Sequence, residues 1–410
     1  MSVHVTSEIG QLRSVIVHTP GAELLAVTPS TREDYLYDDI IGLDAAQREH
    51  RRFVAVLERF TEVHHVRDLC AQVLADPKVR EEIIRDAMDV VSSEPVAREL
   101  SELPTQALVQ RLIQGHREPP GPLARALMYD SGFALPPIPN LFFTRDVAMA
   151  VGEHVLIGSM RYGVRWTEEL VMKALFRNHP LLSNAGILYD GSVERRVNYT
   201  LEGGDVHPLR HDLVMIGFSE RSSPAAIDHI AALLFENTAI QDIVVVVMPK
   251  ENTAIHLDMI FTQVDREACV VYPPHFLGVD RLSVLRWHRG SDQLHEERDI
   301  FSALRACGMP MEPIKCGGDE RIVQEREQWA SGCNFVALRP GLVLSYARNE
   351  ATLEQLRRAG FRIVHSVRFL TGDERIGNDE RAVIVFEGDE LVRGGGGPRC
   401  MTCPVRRDDV

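Results

Sequence analysis

No window of the 410-residue sequence approaches the ~18 consecutive apolar residues that a membrane-spanning helix needs. The opening MSVHVTSEIGQLR is mixed rather than an apolar leader, so the expected setting is the cytoplasm. Positive charge is in deficit: 45 Lys and Arg stand against 59 Asp and Glu, a net charge of −14. That balance argues against nucleic acid or an anionic membrane as partner and leaves a small cationic substrate compatible. Cysteine is too scattered for a disulfide framework. Its seven positions, Cys70, Cys269, Cys307, Cys316, Cys333, Cys400 and Cys403, form an odd set that is expected to be reduced and mostly buried. A second C-x-x-C or an H-x-H partner to complete a zinc site with Cys400 and Cys403 is missing, and Pro404 with RRDD follows where a redox motif would open a helix. The 45% apolar and 25% charged content is that of an ordinary folded protein.

Several segments share one plan: a short apolar run, a small or polar turn containing arginine, then an amphipathic helical pattern. The clearest are HVLIGSMRYGVRWTEELVMKALF from His154, DLVMIGFSERSSPAAIDHIAALLF from Asp212 and GLVLSYARNEATLEQLRRAGF from Gly341. They predict a repeated β/α unit. Further strands are expected at RSVIVHTP (13–20), DIVVVVMP (242–249), ACVVYPP (268–274) and RAVIVFEGDEL (381–391), which are rich in β-branched residues and bounded by Pro, Gly or Asp. Residues from about 44 to 130 break the rhythm. Helical spacing in FVAVLERFTEVHHV, VREEIIRDAMDVV, VARELSEL and TQALVQRLI predicts an all-helical insertion there, with Pro95, Pro104, Thr105 and the PPGP at 119–122 marking the breaks.

Chemistry concentrates in RGGGGPRCMTCPVRRDD at 393–409. Four consecutive glycines let main chain approach a ligand closely, and Cys400 sits beside them; a flexible tail with an incidental thiol is the bland alternative. In TAIHLDMIFTQVD (253–265), His256 and Asp258 are two residues apart and would share a face if the segment is extended. TLEGGDVHPL (200–209) puts Glu202 at a strand end ahead of a turn, and PNLFFTRDVAMAVG (139–152) puts Asp146 after an apolar aromatic run, with Asn140 on the same alternation. Each feature alone is commonplace, since the chain has 16 histidines and solvated turn acids abound. Together they suit a guanidinium, which calls for two carboxylates making paired charge-assisted hydrogen bonds. Attack on its carbon calls for a thiolate, and loss of ammonia for a general acid such as histidine.

In that order PNLFFTRD, LEGGD, FSERSS, HLDMIFTQVD, the REQW segment at 326–329 and GGGGPRCMTCP resemble the signature segments of arginine deiminases, nearly end to end. The resemblance implies a single domain over 1–410: a five-fold pseudosymmetric α/β propeller of ββαβ units carrying the helical insertion. It implies Cys400 as nucleophile, His256 as general acid and base, Glu202 as the carboxylate that orients it, and Asp146 and Asp258 as the guanidinium grip. Asn140, Arg165 and Arg221 would contact the amino-acid end of the substrate. Gly395 stands where many members place an arginine for the substrate carboxylate, and Arg393 is the nearest replacement. The implied reaction takes L-arginine to L-citrulline and ammonia with no metal or organic cofactor, in a protein that self-associates. Alternatives are a relative acting on another guanidino compound, an amidinotransferase, or a catalytically silent arginine-binding sensor.

Overall fold

The computed structural model describes residues 2–91, 94–117, 121–127, 132–193 and 199–410. Pro119 and Pro120 of the PPGP at 119–122 lie outside them. Among the described residues, no helix is long and apolar enough to cross a membrane. Across the described residues the mixed α/β architecture contains six sheets, one of them only the short hairpin His116–Arg117 with Phe133–Leu135.

The other five repeat one order: an antiparallel strand pair, a helix, then a strand parallel to the second member of the pair. The second sheet pairs Ala148–Val151 with His154–Ile157 and, after the helix Trp166–Asn178, adds Ile187–Asp190. The third pairs Val206–Arg210 with Leu213–Phe218 and, after Pro224–Asn237, adds Asp242–Val247; Val284–His288 and His295–Glu297 extend its edge. The fourth uses Phe261–Asp265, Ala268–Val271, the helix Ile300–Ala306 and Glu312–Lys315. The fifth uses Val336–Arg339, Leu342–Tyr346, Glu350–Arg358 and Ala382–Phe386, with Arg362–His365 outermost. The first is assembled from both ends of the sequence: Cys403–Arg407 runs antiparallel to Leu12–Val17, and Glu62–His65 joins in parallel after the helix Leu43–Leu57.

Local chemistry sets these boundaries. Ser223 accepts a hydrogen bond from the Ala226 N–H with Pro224 in the first helical turn, and Asp299 caps Ile300–Ala306 through the Ser302 N–H. Strands such as Ala148–Val151 and Phe261–Asp265 are buried on nearly every residue, so they read as continuous apolar runs rather than alternating ones. Apolar clusters fill the spaces between sheets. Ile16 and Val405 meet Ala148 and Val155; Met149 and Leu156 meet Val214 and Ile216; Val244 and Met215 meet Phe261, Val270 and Val343; Leu344 and Ile384 meet Val15 and Leu12. Each such side chain contributes about 1.5–3 kcal/mol on full burial.

Two sequence expectations change here. The helical spacing read through FVAVLERFTEVHHV stops at Leu57, and Glu62–His65 is a strand of the first sheet. Helix Leu43–Leu57 therefore belongs to that sheet's own unit, and the further helices start at Val66: Val66–Val73, Pro77–Val91, Glu94–Glu102, Thr105–Gln114 and Pro122–Leu127. The hairpin at 116–135 means that this region is not wholly helical. Second, neither PNLFFTRD nor HLDM is extended: they form single turns, Pro139–Phe142, Thr144–Val147 and Leu257–Met259. The alternation arguments for Asn140 with Asp146, and for His256 with Asp258, therefore do not apply.

Candidate active site

What brings the candidate residues together is the segment just ahead of the first strand in each sheet. Asp146 precedes Ala148–Val151, Glu202 precedes Val206–Arg210, His256 and Asp258 precede Phe261–Asp265, Asn334 precedes Val336–Arg339, and Cys400 precedes Cys403–Arg407. All of them are buried.

Glu202 is the anchor. Its Oε2 accepts from His256 Nε2 at 2.9 Å and Arg221 Nη1 at 3.2 Å, and its Oε1 accepts from the Arg161 N–H at 2.9 Å. Burial would raise this carboxyl, but the Arg221 charge and the His256 hydrogen bond hold it at about 2. Burial works against protonated His256 too, yet Asp146, whose Oδ1 lies 3.8 Å from Nδ1, together with the Glu202 hydrogen bond and Asp205, lifts it to about 9. The imidazole is therefore an acid at neutral pH. Asp205, in the same LEGGD turn, accepts from Ser219 and Ser222 at 2.6 Å each and from the Leu257 N–H at 2.9 Å, which fixes the His256 turn.

Each of the two aspartates uses one oxygen on a buried protein arginine. Asp146 Oδ2 accepts from Arg165 Nη1 at 2.7 Å, and Asp258 Oδ2 accepts from Arg399 Nη1 at 2.9 Å. Arg165 is held in turn by Glu168, and Arg399 by both oxygens of Glu8. Among the described residues, Asp146 Oδ1 and Asp258 Oδ1 find no hydrogen-bond donor. The Cys400 thiol faces Asp258 Oδ2 at 3.4 Å. Burial, then Asp258 and Asp146, push it well above its ordinary range, so the resting group is a thiol. The Cys400 carbonyl accepts from the Arg145 N–H at 3.1 Å, tying the cysteine loop to the TRD turn. Cys403 is separate: it sits in the strand with its thiol 3.2 Å from the Ala148 carbonyl.

Three ligand atoms from Asp146, Glu202 and His256 lie within 4.8 Å of one another, a spacing compatible with a metal ion. Their charges are already engaged, however, by Arg165, Arg221 and the imidazole proton.

The residues expected to meet the substrate tail are placed differently. Asn140 donates to the Tyr35 carbonyl at 2.8 Å, and Arg165 is committed to Asp146 and Glu168. Arg221 reaches a cavity of about 980 Å³, whose rim carries Arg32, Arg348, Arg393 and Gly395. There Arg393 pairs with Asp39 at 3.0 Å. Gly395 has φ +84°, a left-handed backbone that a side chain would strain. Sequence reasoning did not single out Asn334, Asp205, Glu168, Arg399 or Glu8. The first two stand in the turn that leads into a first strand, and Arg399 adjoins Cys400, so the repeat was the available signal; for Glu8 there was none.

The same mixed α/β fold occurs in guanidine-modifying enzymes. The N-terminal domain of ArgZ bound to product, an arginine dihydrolase from cyanobacteria, aligns with a TM-score of 0.53 at 16% identity, over 96% of this chain and 97% of that one. A dimethylarginine dimethylaminohydrolase adduct with S-methyl-L-thiocitrulline aligns at 0.51 and 16% identity, over 96% and 99%. A model of the arginine deiminase family matches residues 33–407. The arginine deiminases of Bacillus cereus (strain B4264) and Pediococcus pentosaceus are 32% and 30% identical, each over 100% of this chain and 99% of the relative. The chain belongs to the arginine deiminase family.

Proposed function

We propose that the protein hydrolyses L-arginine to L-citrulline and ammonia through a covalent intermediate on Cys400. The observation that carries this reading is the pair of buried oxygens, Asp146 Oδ1 and Asp258 Oδ1, that accept no hydrogen bond among the described residues and lie beside a thiol and an imidazolium. Two such acceptors match the fork of N–H donors on a planar guanidinium.

A guanidinium seated between them offsets the negative charge that disfavours the thiolate, so binding itself promotes ionisation of Cys400, whose proton passes to solvent because His256 already carries one. The thiolate attacks the guanidinium carbon, forming a C–S bond and a tetrahedral adduct. His256 gives its Nδ1 proton to the departing nitrogen; the C–N bond breaks and ammonia leaves, while Glu202 keeps Nε2 in place. The thiouronium carbon then takes water, one of whose protons returns to His256; collapse breaks the C–S bond with its electron pair returning to sulfur as the thiolate, while the hydroxyl proton leaves to solvent as the ureido C=O forms. One water is consumed and one ammonia released, with no change of oxidation state, and neither metal nor organic cofactor takes part.

Incubation with arginine should yield citrulline and ammonia in equal amounts. Ornithine formed only with an added amine would mean amidino transfer, and arginine binding without turnover, unaffected by Cys400→Ala, would mean a sensor. One observation favours a different guanidino substrate: Arg165 is engaged internally, and Arg393 stands at the rim beside Gly395. A turnover screen of arginine analogues separates the two readings. Because the reaction needs a thiolate together with protonated His256, and His256 loses its proton at about 9 while the free Cys400 thiol is held well above its ordinary range, kcat/KM should rise with pH up to about 9 and level off there. A fall that begins well below that value would contradict this pairing of acid and thiol.

The five sheets support a further part of the proposal: a pseudosymmetric five-bladed propeller forming one catalytic domain, interrupted by the mainly helical insertion. In its favour are the shared strand order and the apolar clusters that link the first sheet to the second, onward to the fifth, and the fifth back to the first.

A further inference from the structure

Asn334 lies in the SGCN turn ahead of the fifth sheet and is fully buried. Its side chain makes four contacts, all to groups around the sulfur. Oδ1 accepts from the Arg399 N–H at 2.8 Å and the Cys400 N–H at 3.4 Å. Nδ2 donates to the Asp258 carbonyl at 3.2 Å and lies 3.1 Å from Cys400 Sγ. The orientation of this amide is chemically determined. Rotating it by half a turn would set its NH₂ against two backbone N–H donors and its oxygen against a carbonyl. With Oδ1 fixed by the backbone donors, an N–H must point at sulfur.

Gly397 makes the approach possible. A Cβ there would stand 2.6 Å from Asn334 Oδ1, so only glycine lets the amide lie flat against the cysteine loop.

We infer that Asn334 is a catalytic residue of this site: its amide N–H is a hydrogen-bond donor to the Cys400 thiolate, while its carbonyl holds the loop that presents the sulfur. This role rests on Cys400 being the nucleophile.

The surroundings make such a donor necessary. Asp258 and Asp146 both oppose a negative sulfur; Arg399 and the Gly397 backbone favour it, and His256, across the site, is bound up with Glu202 and Asp146. Tyr346 donates its hydroxyl to the Gly396 carbonyl rather than to the sulfur. Asn334 is thus a neutral donor that helps an anion form in the presence of two carboxylates, without adding a positive charge that would repel a cationic substrate. A hydrogen bond to an ionised group is stronger than one to its neutral form, so this contact acts on the thiolate and on sulfur as it leaves in the last step.

The test is the pH dependence of single-site alkylation of Cys400 by iodoacetamide, with kcat measured alongside. Alkylation needs no guanidino substrate, so it remains informative even if arginine is not turned over, an outcome that would count against the proposed function and not against Asn334. Asn334→Asp keeps both acceptor contacts to the loop but removes the N–H. Asn334→Ser removes the N–H without adding charge. Both variants should move the alkylation midpoint upward by about 1 pH unit or more and lower kcat about 10–100-fold, with Asn334→Asp the more affected. Thermal unfolding checks that each is folded, and if Asn334→Asp is not, Asn334→Ser carries the test. An unshifted midpoint in Asn334→Ser overturns the inference, because a shift confined to Asn334→Asp would report only its added charge.

Discussion

Cys400→Ser should abolish turnover, lowering kcat by about 10⁴-fold or more, while arginine still binds. A hydroxyl ionises far less readily than a thiol, and this position already disfavours an anion: burial and the two aspartates hold even the thiol well above its ordinary range. Serine keeps the small side chain and its neighbours Asp258 and Asn334, so the loss falls on bond formation rather than on architecture. The oxygens that would grip the guanidinium belong to Asp146 and Asp258 and are untouched. Calorimetric titration of the variant with arginine should therefore still show binding, with no citrulline appearing over hours. Substantial residual turnover would remove Cys400 from the role of nucleophile. Complete loss of binding would relocate its contribution to substrate recognition.

The second large effect is expected from Asp258→Asn, in activity and stability together. The carboxylate has two differently placed oxygens: Oδ2 pairs with Arg399 at 2.9 Å, and Oδ1 accepts no hydrogen bond among the described residues. Neutralising it removes one half of the guanidinium grip and deprives a fully buried arginine of one counter-ion. Breaking a buried pair from one side costs ~3–5 kcal/mol. Glu8 still holds Arg399 through both oxygens, so a loss at the lower end, about 3 kcal/mol, is expected in urea unfolding. kcat/KM should fall by about 10³-fold, with a raised KM contributing, since a charge-assisted contact is lost in ground and transition states alike. An Asp258→Asn protein as stable and as active as its parent would place the guanidinium elsewhere.

The strands and long helices were legible in the sequence because burial writes them in apolar periodicity. HVLIGS, DLVMIGF and GLVLSY, each followed by a helix, match the second strand and helix of the second, third and fifth sheets. The fourth unit escaped notice because its helix, Ile300–Ala306, has only seven residues and two strands of another sheet intervene. The helical pattern carried through FTEVHHV failed because a four-residue strand with intermediate burial leaves no alternation to detect. At the site, residue types were readable from guanidinium chemistry, but orientation was not. His256 and Asp258 are brought to their partners by a tight turn and by ion pairs reaching across the chain, Asp258 to Arg399 and His256 to Glu202. Arg165 likewise looked available for a carboxylate tail until Glu168, three residues on, was seen to hold it. Such long-range pairing has no periodic trace in a single sequence.

The pairing of Leu12–Val17 with Cys403–Arg407 bears on the order of events during synthesis. Four of the repeated sheets can be complete on the emerging polypeptide while Leu12–Val17 still waits with one edge open. Closing so long a loop is entropically slow, and the strand that closes it begins three residues after Cys400. A partly made polypeptide therefore holds Asp146, Glu202, His256 and Asp258 before Cys400 is in place. On refolding from denaturant, citrulline-forming activity should trail the return of helical circular dichroism. Recovery of the two in step would show that the last strand docks early.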